Sequence, residues 1–250
     1  MKISTIRVKA PVTHHSTIVL IADTHNHFSR QLKRALSERH PDCIAISGDL
    51  IDRRDVLCES RKALDFLAFC ASVAPTFYAL GNHEGELSVD DMLAVLKTGV
   101  VLLEDGAVQF GELNIGGLSS GYKKRDSHIH STKEPVPNLD WLRTYAGIKG
   151  YKILLCHHPE YYERYIRDLD IDLILSGHAH GGQIRIFNQG LFAPGQGILP
   201  KVTSGLYDGR LIVSRGLCNT AWPIPRLNNE TELVMVELSE AAKYDDEINI

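Results

Sequence analysis

The chain has 250 residues, of which 44% are apolar, and a formal net charge of −4. This length and composition suit a globular protein with a sizeable core, and we predict a single domain over residues 1–250. The weakly acidic charge argues against a protein that coats nucleic acid.

Strand and helix patterns alternate along most of the chain after residues 1–9, which themselves alternate like a strand. Apolar runs predict buried strands at 17–22, 43–47, 76–80, 151–156 and 171–176. Helical spacing and caps predict helices at 28–40, 56–73, 88–99, 138–145 and 159–167. Short turn-bounded segments predict further strands at 100–103, 107–110, 113–117, 183–187, 210–214 and 232–237. We therefore predict an α/β fold, a four-layer α/β/β/α sandwich of two mixed β-sheets flanked by helices.

Neither a signal peptide nor a membrane span is predicted, because no apolar stretch is long enough. Five cysteines occur singly and without a Cys-x-x-Cys pair, as expected for reduced thiols in a reducing compartment. The sequence therefore predicts a cytoplasmic protein without a transmembrane segment.

Each of the five buried runs ends in side chains that commonly bind metals. In chain order these blocks are Asp23-x-His25, Gly48-Asp49-x-x-Asp52, Gly81-Asn82-His83-Glu84, His157, and Gly177-His178-x-His180. Buried strands of one sheet bring their C-terminal ends to a common edge, where ligands bind. The sequence thus predicts a two-metal centre at the C-terminal ends of the strands.

The spacing within two of the blocks suggests how their side chains are directed. Asp23 and His25 are two residues apart, so in an extended segment both would point to the same side and face one metal. His178 and His180 share this spacing.

The donor types indicate which metals the centre would hold. Asp49 directly follows Gly48, where a small residue lets the backbone and a metal approach closely. Carboxylates, imidazoles and the amide oxygen of Asn82, with no thiolate, suit Mn²⁺ or Fe, and Zn²⁺ is the alternative.

These blocks, in this order, resemble the five blocks of the calcineurin-like metallophosphoesterase superfamily, and they span residues 23–180. Segments 190–197 and 219–226 resemble a bacterial subgroup of phosphodiesterases and phosphohydrolases that is often associated with the cell envelope. Some members act on lipid or sugar-nucleotide phosphates. The resemblance implies two divalent metal ions and hydrolysis of a phosphodiester or pyrophosphate-type bond by attack of a metal-bridging hydroxide.

The resemblance also implies a role for each residue of the blocks. The first metal would be held by Asp23, His25, Asp49 and His180. The second would be held by Asn82, His157, His178 and, as a bridge, Asp49. His83 would lie over the metals, stabilise the phosphoryl oxygens and protonate the leaving alkoxide, while Asp52 would orient His83.

Several alternatives stay open. Asp52 could instead cap the helix that follows it, and His158 competes with its neighbour His157 for the metal. The cationic run Lys123-Lys124-Arg125 within the irregular loop 119–137 is either solvated or recruits anionic substrates.

The sequence indicates only a broad class of substrate and partner. We expect a small phosphate ester or a lipid or sugar-nucleotide phosphate as substrate, with peripheral membrane contact as an option. A phosphomonoesterase or protein phosphatase is the alternative activity. A non-catalytic scaffold of the same fold is the alternative from another class, and it is disfavoured because no motif residue is missing.

Overall fold

A computed structural model gives the fold and describes residues 1–52, 61–121, 135–218 and 224–240. The helices are α1 (Arg30–Arg39), α2 (Arg61–Val73), α3 (Val89–Leu96) and α4 (Leu139–Ala146). The first nine strands are β1 (Lys2–Ala10), β2 (Ser16–Ile21), β3 (Cys43–Ser47), β4 (Thr76–Ala79), β5 (Val101–Leu103), β6 (Gly106–Phe110), β7 (Leu113–Leu118), β8 (Tyr151–Cys156) and β9 (Leu173–Ser176). The later strands are β10 (Arg185–Ile186), β11 (Gln189–Gly190), β12 (Phe192–Ala193), β13 (Gly197–Ile198), β14 (Gly205–Tyr207), β15 (Leu211–Val213) and β16 (Glu232–Glu240).

Two large mixed sheets form the framework. The first has the strand order β1-β16-β2-β3-β4-β5, in which β2 to β5 are parallel and β16 runs antiparallel to β2. The second has the order β14-β15-β9-β8-β7-β6, in which β15, β9, β8 and β7 are parallel. Parallel neighbours place their C-terminal ends at one edge of each sheet.

The alternation of side chains along the strands builds the layers. In β2, Ile18 and Leu20 enter the core between the sheets, while Val19 and Ile21 face the core under α1 and α2. In β8, Leu155 enters the same inter-sheet core and Leu154 faces the opposite core, which α4 covers. Strands buried on both faces explain the continuous apolar runs, and the predicted four-layer sandwich is confirmed.

Local sequence signals set the ends of two helices. The Ser29 side chain accepts the backbone N–H of Leu32 at the start of α1, and His40 ends this helix in a left-handed conformation. At α3, Ser88 and Asp91 form a capping box.

Other boundaries differ from the prediction. The segment predicted as a helix at 159–167 contains a π-helical turn over Tyr162–Ile166. The strand predicted at 183–187 is reduced to Arg185–Ile186, which pairs with β11 in the first of two small hairpins that the sequence did not predict. The first part of the helix predicted at 56–73 lies outside the described residues.

Four cysteines, Cys43, Cys70, Cys156 and Cys218, are buried free thiols, and Cys58 lies outside the described residues. Burial raises the pKa of both Cys43 and Cys70 to about 12, so these thiols stay protonated and behave as core residues. Within the described ranges, the helices are all too short or too polar to cross a bilayer.

Candidate metal centre

The five predicted blocks meet where the two sheets come together at the C-terminal ends of their strands. The hydroxyl of Ser47 donates to the carbonyl of Leu175 at 2.8 Å, which ties β3 of one sheet to β9 of the other. Beyond the strands, the Asp23 N–H donates to the Gly48 carbonyl, and the Gly177 N–H donates to the His157 carbonyl. The loops that carry the blocks are therefore held together by backbone hydrogen bonds.

One group of side chains forms around Asp23. Ligand atoms of Asp23, His25 and His180 all lie within 4.8 Å of one another. His180 Nε2 is 3.6 Å from Asp23 Oδ1, and the rings of His25 and His180 stack with their centroids 5.3 Å apart.

A second group forms around Asp49. Ligand atoms of Asp49, His157 and His178 again lie within 4.8 Å of one another. His157 Nε2 is 3.2 Å from Asp49 Oδ2 and 3.2 Å from His178 Nδ1. The two groups adjoin, because Asp49 Oδ2 is also 3.8 Å from His25 Nε2.

Neither pair of residues two apart has the extended backbone that the sequence suggested. Asp23 and His25 share one group, but both have left-handed backbone, with φ of 51° and 41°. His178 and His180 are also left-handed, with φ of 64° and 46°, and they fall into different groups. Non-glycine residues in this conformation cost energy, and their concentration at one site indicates a constraint from function.

The close approach of two loops depends on Gly48, which has a φ of 78°. A Cβ at this position would lie 2.6 Å from Gly81 Cα and 2.6 Å from His157 Nδ1. The glycine therefore makes room for the backbone of the neighbouring loop, as the sequence suggested, and also for His157.

Several polar atoms of the site are buried without a hydrogen-bond partner among the described residues. They are both ring nitrogens of His25, the amide oxygen of Asn82 and Nδ1 of His180. Buried polar atoms are normally paired, so such a concentration calls for an external partner. Nitrogen and carboxylate donors around unsatisfied atoms fit a divalent metal ion.

The electrostatics keep two of the imidazoles in the form that binds metals. Burial lowers the pKa of both His25 and His180 to about 4, although the nearby carboxylates oppose the shift. Both rings are therefore neutral at pH 7 and have a free lone pair. Burial opposes ionisation of Asp49, yet His157 and His83 hold the pKa of this carboxyl well below its usual range.

His157 is oriented by the backbone. Its Nδ1 lies 2.8 Å from the Ser47 carbonyl, so this nitrogen carries the proton and donates it. Nε2 is left facing Asp49, which is the arrangement by which proteins direct a metal-binding imidazole.

His83 and Asp52 lie at the open side of the site. Ligand atoms of His25, Asp52 and His83 are within 4.8 Å of one another, and His83 Nε2 is 3.8 Å from Asp49 Oδ2. The His83 side chain is 18% exposed, compared with 1% for that of His25. His83 is therefore placed to meet a molecule from solvent, and its predicted role remains a prediction.

Glu84, for which the sequence indicated no role, joins two loops of the site. Its carboxylate is buried and accepts four backbone N–H groups, those of Asp49, Leu50, Ile51 and Gly81. Burial and the Asp49 carboxylate raise the pKa of Glu84, and this rise is opposed by His157, by the Tyr78 hydroxyl and by the Asp49 N–H. The only signal in the sequence was its position at the end of the Gly-Asn-His block.

We expect Glu84→Gln to lower the free energy of unfolding by about 3 kcal/mol, because its amide group would face two backbone donors that then lack an acceptor. Urea denaturation measures this change. Glu38→Gln on α1 is the control, since Glu38 is exposed and its ion pair with Arg34 contributes little. Equal stability of the two variants would contradict the role given to Glu84.

The remaining candidates belong to neither of the two groups or lie outside the described residues. Nδ1 of His158 is 3.1 Å from Glu160 Oε1, so this ring has a carboxylate neighbour of its own. The run Lys123-Lys124-Arg125 lies outside the described residues.

Comparison with known proteins agrees with this geometry. Residues 16–182 match the family model for the calcineurin-like phosphoesterases. The chain belongs to this family of metal-dependent phosphoester hydrolases. The uncharacterized metallophosphoesterase Cj0846 of Campylobacter jejuni is 32% identical over 88% of this chain, which spans only 58% of that relative's length. The phosphodiesterase YaeI of Escherichia coli is 28% identical over 88% of this chain and 81% of its own.

The fold is also that of a solved structure. The sulfate thiohydrolase SoxB of Thermus thermophilus superposes with a TM-score of 0.50 and 14% identity, covering 79% of this chain and 50% of the other. At this level of identity the similarity concerns the fold alone.

Proposed function

We propose that this chain is a phosphodiesterase that uses two divalent metal ions to hydrolyse a phosphodiester or pyrophosphate-type bond. The observation that supports this proposal is the pair of adjoining buried groups around Asp23 and Asp49. Their carboxylate and imidazole donors, without a thiolate, favour Mn²⁺, with Fe or Zn²⁺ as alternatives. The similarity to a protein named a phosphodiesterase supports a diester substrate.

The proposed ligands follow from the two groups. The first ion would be held by Asp23, His25, His180 and Asp49, and the second by His157, His178, Asn82 and Asp49. Bound ions would supply an acidified water and offset the charge on the attacking and leaving oxygens.

The chain's own residues would carry the remaining tasks. We place His83 as the donor of a proton to the leaving oxygen, since its imidazole is more exposed than those below it. Asp52 would orient this ring as its carboxylate neighbour. The four hydrogen bonds of Glu84 would fix the position of the Asp49 loop relative to the loop that carries Asn82 and His83.

Exposed apolar side chains on the small hairpins that follow His180 support a substrate with an apolar part, such as a lipid phosphate, and peripheral contact with a membrane. Phe187 is 97% exposed and Ile198 is 82% exposed, both on the small hairpins that follow His180. Ile186 and Leu199 are exposed beside them. Contiguous exposed apolar surface commonly marks a binding site.

A panel assay with Mn²⁺ tests the proposed function. It compares bis-p-nitrophenyl phosphate, p-nitrophenyl phosphate, cyclic nucleotides, sugar-nucleotide pyrophosphates and lipid-linked pyrophosphates. We expect the highest kcat/KM among the diesters and pyrophosphates. A preference for p-nitrophenyl phosphate would instead favour the phosphomonoesterase alternative.

Removal of metal should abolish hydrolysis. We expect exhaustive treatment with EDTA to reduce turnover of bis-p-nitrophenyl phosphate to background, because the acidified water and charge neutralisation both depend on the ions. Adding Mn²⁺ back should restore the rate. Full activity in protein shown by elemental analysis to be metal-free would rule out the proposed mechanism.

A further inference from the structure

A third cluster of buried polar side chains lies behind His178. Ligand atoms of His158, Glu160 and His178 are within 4.8 Å of one another. His158 is 1% exposed, and the side chain of Glu160 is 9% exposed. Neither His158 nor Glu160 belongs to the two groups that would hold ions, so their burial needs a separate explanation.

The two ring nitrogens of His178 face different neighbours. Nδ1 is 3.2 Å from His157 Nε2, which itself lies 3.2 Å from Asp49 Oδ2, so Nδ1 is on the side of the proposed ion. Nε2 is on the other side, 3.8 Å from Glu160 Oε1. A neutral imidazole that binds a metal through Nδ1 carries its proton on Nε2. This proton would therefore be directed toward Glu160.

The Glu160 carboxylate also has neighbours other than His178, which fix its position. Its Oε1 is 3.1 Å from His158 Nδ1. The loop after β12 closes over it at Gly195, where a Cβ would lie 2.1 Å from Oε1. Its Oε2 is buried and accepts no hydrogen bond from the described part of the chain. A buried carboxylate with a spare oxygen is costly for a fold, which favours a role in the site.

We propose that Glu160 is the positioning residue for His178, accepting its Nε2 proton so that Nδ1 is directed at the second ion. This inference rests on the proposed function. The 3.8 Å separation is longer than a hydrogen bond, and closing it requires a shift of about 1 Å. A carboxylate behind a metal-binding imidazole fixes the tautomer and orientation of the ring and makes it a better ligand.

The test measures Mn²⁺ binding to the whole chain by isothermal titration calorimetry, together with the electron paramagnetic resonance spectrum of the loaded protein. We expect Glu160→Leu to weaken one of the two binding events by about 10–100-fold. The spectral signature of two coupled Mn²⁺ ions should fade at Mn²⁺ concentrations that saturate the wild type.

Two further variants separate positioning from general structure. Glu160→Gln keeps an acceptor oxygen of nearly the same shape, so we expect it to restore most of the lost affinity. Glu163→Leu is the matched control, because Glu163 is close in sequence but exposed and paired with Arg167. It should bind both ions like the wild type.

The outcomes are distinguishable. Unchanged binding of both ions by Glu160→Leu overturns the positioning role and leaves the proposed function standing. Equal losses in Glu160→Leu and Glu160→Gln also overturn it, because retaining the acceptor would then have no effect. Wild-type protein that binds fewer than two Mn²⁺ ions overturns the proposed function itself, and the role of Glu160 with it.

Discussion

His83→Ala should lower kcat by about two to four orders of magnitude while the protein still binds two Mn²⁺ ions. The imidazole would be lost as a proton donor and as a partner for the phosphoryl oxygens. The ion site should survive, because it is the backbone N–H of His83 that donates to Asp49 Oδ1, at 3.0 Å. Alanine keeps this bond.

Substrates with different leaving groups distinguish the two roles of His83. Nitrophenolate leaves without protonation, whereas an alkoxide needs a proton. If His83 protonates the leaving oxygen, the loss of kcat should be larger for a cyclic nucleotide than for bis-p-nitrophenyl phosphate. An equal loss for both substrates would point to stabilisation of the phosphoryl oxygens alone.

His15→Ala is the control for His83→Ala, since His15 is exposed and precedes β2. It should leave both kcat and Mn²⁺ content unchanged. Wild-type turnover by His83→Ala would remove His83 from the reaction, and loss of metal in that variant would make it a ligand instead.

The framework of the site could be predicted from sequence because buried parallel strands leave a strong pattern. The runs that became β2, β3, β4, β8 and β9 are mostly apolar and almost entirely buried, and each is followed by a metal-binding side chain. Parallel pairing then brings these ends to one edge without any knowledge of the loops.

The conformation of the loops could not be predicted in the same way. The rule that residues two apart share a side holds only for extended backbone, and Asp23 and His178 are left-handed instead. The small hairpins β10–β11 and β12–β13 have two residues in each strand, too few for a periodic signal. Glu84 and Glu160 act through contacts with distant residues, which sequence spacing does not encode.

Asp49→Asn should affect both ions at once, and this is the most severe change we expect. Asp49 Oδ2 is 3.2 Å from His157 Nε2 and 3.8 Å from His25 Nε2, so one oxygen adjoins both groups. Asparagine keeps the size of the side chain but removes the negative charge. We expect Mn²⁺ content to fall below one ion per chain and kcat to fall by at least ~10³-fold.

Asp23→Asn provides the contrast that tests the bridge. Asp23 belongs to the group with His25 and His180, so its amide variant should weaken mainly one ion. Asp168→Asn, at an exposed position, should retain both. Elemental analysis and calorimetry with Mn²⁺ distinguish the three variants. Two ions retained in Asp49→Asn would mean that Asp49 is not shared, because loss of a bridging carboxylate weakens both sites, and the same losses in Asp23→Asn and Asp49→Asn would remove the evidence that Asp49 alone is shared.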